Sequence, residues 1–232
     1  NMAIDRANGR WIKLMHDDDA FAGANSLSCF VKEIQNNPHC NFLYCGYNNI
    51  TDSLPASQNF PSSFRRNAVL KNPGVLLAGN IIGPPSVTLH KKDSLRYDTS
   101  LKWLVDIDFY ISMLQSAQTV FIKKRLVHIG INPQQVTKYS SGIIEVEIPE
   151  FFIVYLKLKK ELRKNIFVYD AAWRLMRNMK VKDIELIRSA GYNGLVPEEI
   201  KRIINIQKHF NNRLLKFGPF SKFLMFFSYV TG

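Results

Sequence analysis

No apolar run in the sequence is long enough to cross a membrane. The longest strongly apolar stretch, Phe223 to Val230, falls far short of the roughly 20 residues that a spanning helix needs. The chain opens polar from Asn1 through Arg10, without the apolar core of a secretory signal. Cysteine is scarce. Cys29, Cys40 and Cys45 form an odd set in a chain too large to need disulfide staples, which favours a reducing, cytoplasmic setting. His39-Cys40 with Cys45 could begin a zinc site, but no second ligand pair follows. No repeat or low-complexity tract is visible, and no Gly-rich phosphate loop, His-Glu-x-x-His or Gly-x-Ser-x-Gly motif occurs, which removes the enzyme classes built on them.

Acidic residues are also few: 19 Asp and Glu stand against 31 Lys and Arg in 232 residues. Hydrophobic content of 46% and charged content of 22% are those of a globular chain able to bury a core. The excess charge is uneven. Residues 1–155 carry 15 basic and 13 acidic side chains, whereas residues 156–232 carry 16 and 6. A basic C-terminal third suits an anionic membrane surface, nucleic acid or an acidic partner. No helix-turn-helix, zinc or RNA-binding signature accompanies it, so nucleic acid is the least favoured of these.

Local patterning predicts a helix over 2–8 stopped by Gly9, a short buried strand over Trp11 to Met15, and a helix after Asn25 or Ser26 with Leu27, Phe30, Val31 and Ile34 facing inward. Asn41 to Tyr47 reads as a strand and residues 48–66 as a long polar loop. A short helix should precede Gly79, a stiff turn runs through Gly83-Pro84-Pro85-Ser86, and a strand follows over Val87 to His90. Asp106 to Leu114 has helical spacing, with Ile107, Tyr110, Ile111 and Leu114 inward; Thr119 to Ile122 and Ile143 to Ile148 read as strands. Beyond Pro149 the pattern is helical, over about 150–164, 166–178, 181–190 and 197–216, with Pro197-Glu198-Glu199 as a good helix start. Strands with intervening helices, then helices alone, imply an α/β domain with a helical C-terminal extension.

The most informative residues are Asp17-Asp18-Asp19, directly after the apolar run that ends at Met15. Adjacent carboxylates repel, and a hard divalent cation, Mg2+ or Mn2+, compensates for that repulsion while bridging to substrate phosphates. A solvated acidic turn is the alternative. Asp106 and Asp108 open a helix, where the dipole favours acids; two residues apart, they occupy different helix faces.

The stretch Asn1 to Phe21, with Ala7-Asn8-Gly9 ending a helix, an apolar strand and then the Asp turn closed by Phe21, resembles the middle of family 2 glycosyltransferases. Gly79-Asn80 through Ser86 and Leu101 through Tyr110 match further segments in the same order. The resemblance implies a partial GT-A (Rossmann-like) mixed sheet, with residues 1–149 as a portion of the catalytic domain and 150–232 as a basic helical extension. It implies that Asp19 and Asp18 ligate the metal, that Asp17 and Asp18 bind the donor, and that Asp106 is the general base. Ser86 and His128 are weaker site candidates. For Ser86 the alternative is a purely structural turn, and for His128 a packed or surface histidine. His16 stands where many members carry aspartate.

By the same resemblance the reaction is transfer of a sugar from a nucleotide-diphosphate donor to an acceptor hydroxyl with inversion, in polysaccharide or glycan synthesis. Sugar or lipid-linked acceptors are the expected second substrates. The family's first strand-helix unit has no counterpart upstream of Asn1, so the chain alone is expected to bind donor weakly and not to turn it over. A non-catalytic sugar- or nucleotide-binding remnant is the rival reading. The segment Asn211 to Val230 mixes Arg213, Lys216 and Lys222 with many aromatics and could lie on an anionic membrane, cover an apolar face or form an oligomer contact. A peripheral place at the inner membrane face is therefore a further expectation.

Overall fold

The computed structural model describes residues 1–51, 54–93, 95–116, 118–131 and 142–232, without the side chains of 54–56. The fold is mixed α/β, with a sheet of parallel and antiparallel strands and helices, as expected and consistent with part of a Rossmann-like fold. Two compact units are present. The first comprises Asn1–Pro73, Asn80–Ser100 and, among the described residues, 105–131; the second comprises Gly74–Gly79, Leu101–Leu104 and 142–232.

The first unit carries a sheet of six strands: β1 (Trp11–Ile12), β2 (Ala20–Phe21), β3 (Cys40–Thr51), β4 (Leu54–Asn59), β5 (Thr88–Lys91) and β6 (Gln118–Gly130). Their order is β1-β5-β3-β6-β2, with β4 pairing the far half of β3. Among the described strands, β3 and β6 pair in parallel and the other pairs are antiparallel. A central strand with both faces covered needs a near-continuous apolar run, and Phe42, Leu43, Tyr44 and Cys45 of β3 supply it, all buried. Phe42 meets Tyr110 of helix α4 (Val105–Ser116) at 5.8 Å between ring centres, and Tyr44 meets Phe121 of β6 at 5.0 Å.

Helix α1 (Met2–Arg6) is shorter than its pattern suggests, and the run Trp11 to Met15 forms a strand only over its first two residues. Helix α2 (Ser26–Asn36) begins after Asn25, but its inward stripe differs from expectation. Ser26 and Phe30 are buried and Cys29 is half-buried, whereas Leu27 and Val31 are each 46% exposed. Of the four residues expected inward, Phe30 is buried and Ile34 half-buried, and Ser26 and Cys29 take inward places instead of Leu27 and Val31. Of the residues 48–66 expected as a loop, most of the described ones lie in strands or a helix. β3 continues to Thr51, β4 returns alongside it, and helix α3 (Ser63–Lys71) follows a cap in which Ser62 accepts from the Arg65 amide at 3.3 Å. The polar residues Asn48, Asn49, Ser57 and Gln58 conceal these strands because backbone pairing, not an apolar face, defines them.

The second unit is helical: α5 (Ile144–Lys157), α6 (Lys160–Arg163), α7 (Ile166–Asn178), α8 (Ile184–Ser189), α9 (Glu198–Gln207), α10 (Asn212–Lys216) and α11 (Gly218–Val230). Ile143 to Ile148, read as a strand from its alternating Ile, Glu and Val, forms the first turns of α5, with Pro149 inside the helix. Spacing over a longer window explains this: Ile148, Phe151, Phe152 and Tyr155 recur at helical intervals and are buried together. Asp183 and Asn211 cap α8 and α10 by accepting from Leu186 and Leu214 amides, and Pro197 with Glu198 and Glu199 starts α9 as expected. Trp173, fully buried, donates to Ser221 Oγ at 3.0 Å, and Gln207 donates to the Trp173 carbonyl at 2.9 Å. Among the described residues no helix is long and apolar enough to cross a membrane.

Candidate metal and transfer site

The site lies wholly in the first unit and is built on a turn between β1 and β2. Its scaffold is the segment Asn80–Ser86. Asn80 Oδ1 accepts from the amides of Ile82 at 3.0 Å and Gly83 at 2.9 Å, and its amide group donates to the Gly83 carbonyl at 3.0 Å. Gly83 has φ +106°, and the Tyr47 ring sits where a Cβ would go, so both conformation and space require glycine. Tyr110 of α4 donates to the same carbonyl at 3.1 Å. This turn delivers a fully buried Ser86, whose hydroxyl accepts from the His16 amide at 3.0 Å and whose carbonyl receives the Lys13 ammonium.

The acidic corner follows. Asp19 Oδ1 accepts from the Gly130 amide at the end of β6, at 3.0 Å. Its side chain is 2% exposed, and Oδ2 is buried without a hydrogen-bond partner, with His16 Nδ1 3.7 Å away. Burial raises the Asp19 pKa, opposed by the Ser86 hydroxyl, the Gly130 amide and the His16 ring, while the Asp18 charge raises it further. One ligand atom each from His16, Asp18 and Asp19 lie within 4.8 Å of one another. Oxygen and imidazole donors at that separation, one of them a buried carboxylate oxygen without a partner, fit a small divalent cation. Asp17 is exposed and outside this cluster.

Asp106 stands half-buried in the first turn of α4. Burial pushes its carboxyl up to about 6, partly offset by the nearby His16 ring. His16, 3.7 Å from Asp19, thus favours the ionised form of both Asp19 and Asp106. Asp108 is buried, apart from Asp106 by helix geometry. His128 of β6 is the backbone partner of Ala20, next to Asp19, and of Asn48, which puts it at the sheet end that carries the corner.

The chain matches no protein-family model and no curated protein.

Three further side chains shape the site. Lys13, a lone cation in an apolar run, is held by the Leu14 and Ser86 carbonyls; burial lowers its pKa to about 8 against the opposing charges of Cys45 and Asp19. Tyr97 stacks on Phe109 at 4.1 Å, and its hydroxyl is buried without a hydrogen-bond partner; burial and the charge of Asp106 both raise its pKa. His90, buried on β5, packs edge-on against Phe109 at 5.0 Å, and burial lowers its pKa. The charge inside the Trp11 to Met15 run was a signal for Lys13. No periodicity marks Tyr97, which lies outside regular structure.

Proposed function

We propose that this face belongs to an inverting, metal-assisted glycosyltransferase that takes a nucleotide-diphosphate sugar as donor. One observation carries the reading: His16 acts on the buried Asp19 and on Asp106 alike, so that cation ligands and a raised-pKa carboxylate border the same ground. His16, Asp18 and Asp19 would hold Mn2+ or Mg2+, and a cation there supplies neutralisation of the charge that builds on a leaving diphosphate.

The chain's own residues do the rest. The Gly130 amide and the Ser86 hydroxyl fix the Asp19 carboxyl, whose Oδ2 is buried without a hydrogen-bond partner. Asp106 accepts the proton of the acceptor hydroxyl as the new carbon–oxygen bond forms and the bond to the diphosphate breaks. A pKa near 6 keeps Asp106 ionised at neutral pH while making it a stronger base than an exposed aspartate.

Manganese titration followed by electron paramagnetic resonance, with and without uridine or guanosine diphosphate, tests the reading. The expected result is manganese-dependent nucleotide binding that weakens roughly tenfold or more in Asp19→Asn, as loss of a ligand does. Asp106→Asn should retain manganese. No manganese binding at millimolar concentration, or equal binding by Asp19→Asn, would overturn the proposal.

A further inference from the structure

The helix α11 buries Leu224 and Met225, yet most of its large apolar side chains face outward. On α11, Ser221 and Ser228 are buried, at 1% and 0% exposure, whereas Phe223, Phe226, Phe227 and Val230 are between 52% and 66% exposed. The exposed residues recur at i, i+3, i+4 and i+7, so they form one continuous apolar stripe. Hydrogen bonds hold the helix in this orientation. Trp173 donates to Ser221, the Tyr169 and Ser228 hydroxyls lie 2.6 Å apart, and Lys222 pairs with Asp170 at 2.6 Å. Rotating the phenylalanines inward would break all three and leave buried polar groups unpaired. Phe217, 62% exposed, extends the apolar surface ahead of the helix.

The surroundings define the occupant. From Ile200 to Gly232 there are six Lys and Arg and no acidic residue, and Lys208, Arg213, Lys216 and Lys222 are exposed. A second copy of the chain would bring the same excess of positive charge to the contact, which disfavours self-association. The stripe also presents no polar side chain that could read a base. An apolar stripe beside cations matches the boundary of an anionic bilayer, where phenylalanines enter the acyl region and lysines meet the headgroups. A groove of about 530 Å³, lined by Asn205, Lys208, His209 and Phe210 together with Leu224 and Phe227, sets the Lys208 cation beside the stripe. Thirteen residues are too few to span a bilayer and suffice to lie along it.

We infer that α11 docks on an anionic lipid surface, with Phe223, Phe226, Phe227 and Val230 inserted and Lys208, Arg213 and Lys216 against the headgroups. Sedimentation of the full chain with vesicles of phosphatidylcholine, with or without one-third phosphatidylserine, tests this. Partitioning should favour the anionic vesicles, fall several-fold when salt is raised, and drop by about tenfold or more in the triple variant Phe223→Ser, Phe226→Ser, Phe227→Ser. The thermal midpoint of the triple variant serves as the folding control. As an independent readout, Phe226→Trp should shift its fluorescence to the blue on anionic vesicles and be quenched by brominated lipid. Equal partitioning of wild type and triple variant, or an introduced indole that stays unquenched on bound vesicles, would overturn the inference. So would binding of an oligonucleotide, or a dimer abolished by the triple substitution, in the absence of vesicle binding.

Discussion

The amide of Gly130 donates to Asp19 Oδ1 at 3.0 Å, across 111 positions of sequence. The end of β6 thereby positions the buried carboxylate of the acidic corner, with Ala20 and His128 paired next to it. The same approach brings the Asp18 carbonyl against Gly130 so closely that a Cβ there would collide with it.

Gly130→Ala should therefore destabilise the protein by about 2 kcal/mol, since backbone, not a flexible side chain, must give way. Urea unfolding measures the loss. Manganese binding should weaken in parallel, because the displaced backbone no longer presents the residue-130 amide to Asp19 in the same geometry.

Asp106→Asn should stabilise the metal-free protein at neutral pH. The folded-state pKa of about 6 exceeds the ordinary 3.8, so the folded state binds more protons between these values and loses stability as pH rises through them. The full cost, up to about 3 kcal/mol, is present above pH 6 and absent below about pH 4. Unfolding of wild type and Asp106→Asn in a chelator, from pH 4 to 7, should show a gap that opens with rising pH. A constant gap would contradict the assignment.

Ser86→Ala removes the acceptor for the His16 amide and the hydroxyl that favours ionised Asp19. About 1 kcal/mol of stability should go with it. Carbon-detected NMR titration of the Asp19 carboxyl should show its pKa moving further upward.

Glu150 belongs to the second unit and takes no part in the site. Its buried carboxylate accepts from the amides of Lys102 at 2.7 Å and of Trp103 and Leu104 at 2.8 Å each. Glu150→Gln should cost about 2 kcal/mol, as one amide loses its charged acceptor and meets a donor. Glu150→Ala should cost more, and hydrogen exchange at residues 102–104 should accelerate in both variants.

Local chemistry decided a good deal of this molecule before any folding. Ile107, Tyr110 and Ile111 marked α4, Pro197 with two glutamates marked the start of α9, and the apolar run of β3 marked a buried strand, because each pattern needs only near neighbours in sequence. The acid triplet likewise drew attention to the corner after Met15. Partners distant in the chain decided the rest. β4 and the far half of β3 are polar and owe their form to backbone pairing, while Ile143 to Ile148 carried a strand-like alternation that packing of a longer helix overrode. Which carboxylate of the triplet is buried depended on Gly130 and Ser86, and the importance of His16 depended on α4 bringing Asp106 near it. The family resemblance alone separated Asp19 from Asp17; burial and electrostatic proximity are properties of three-dimensional neighbours, which spacing along the chain does not carry.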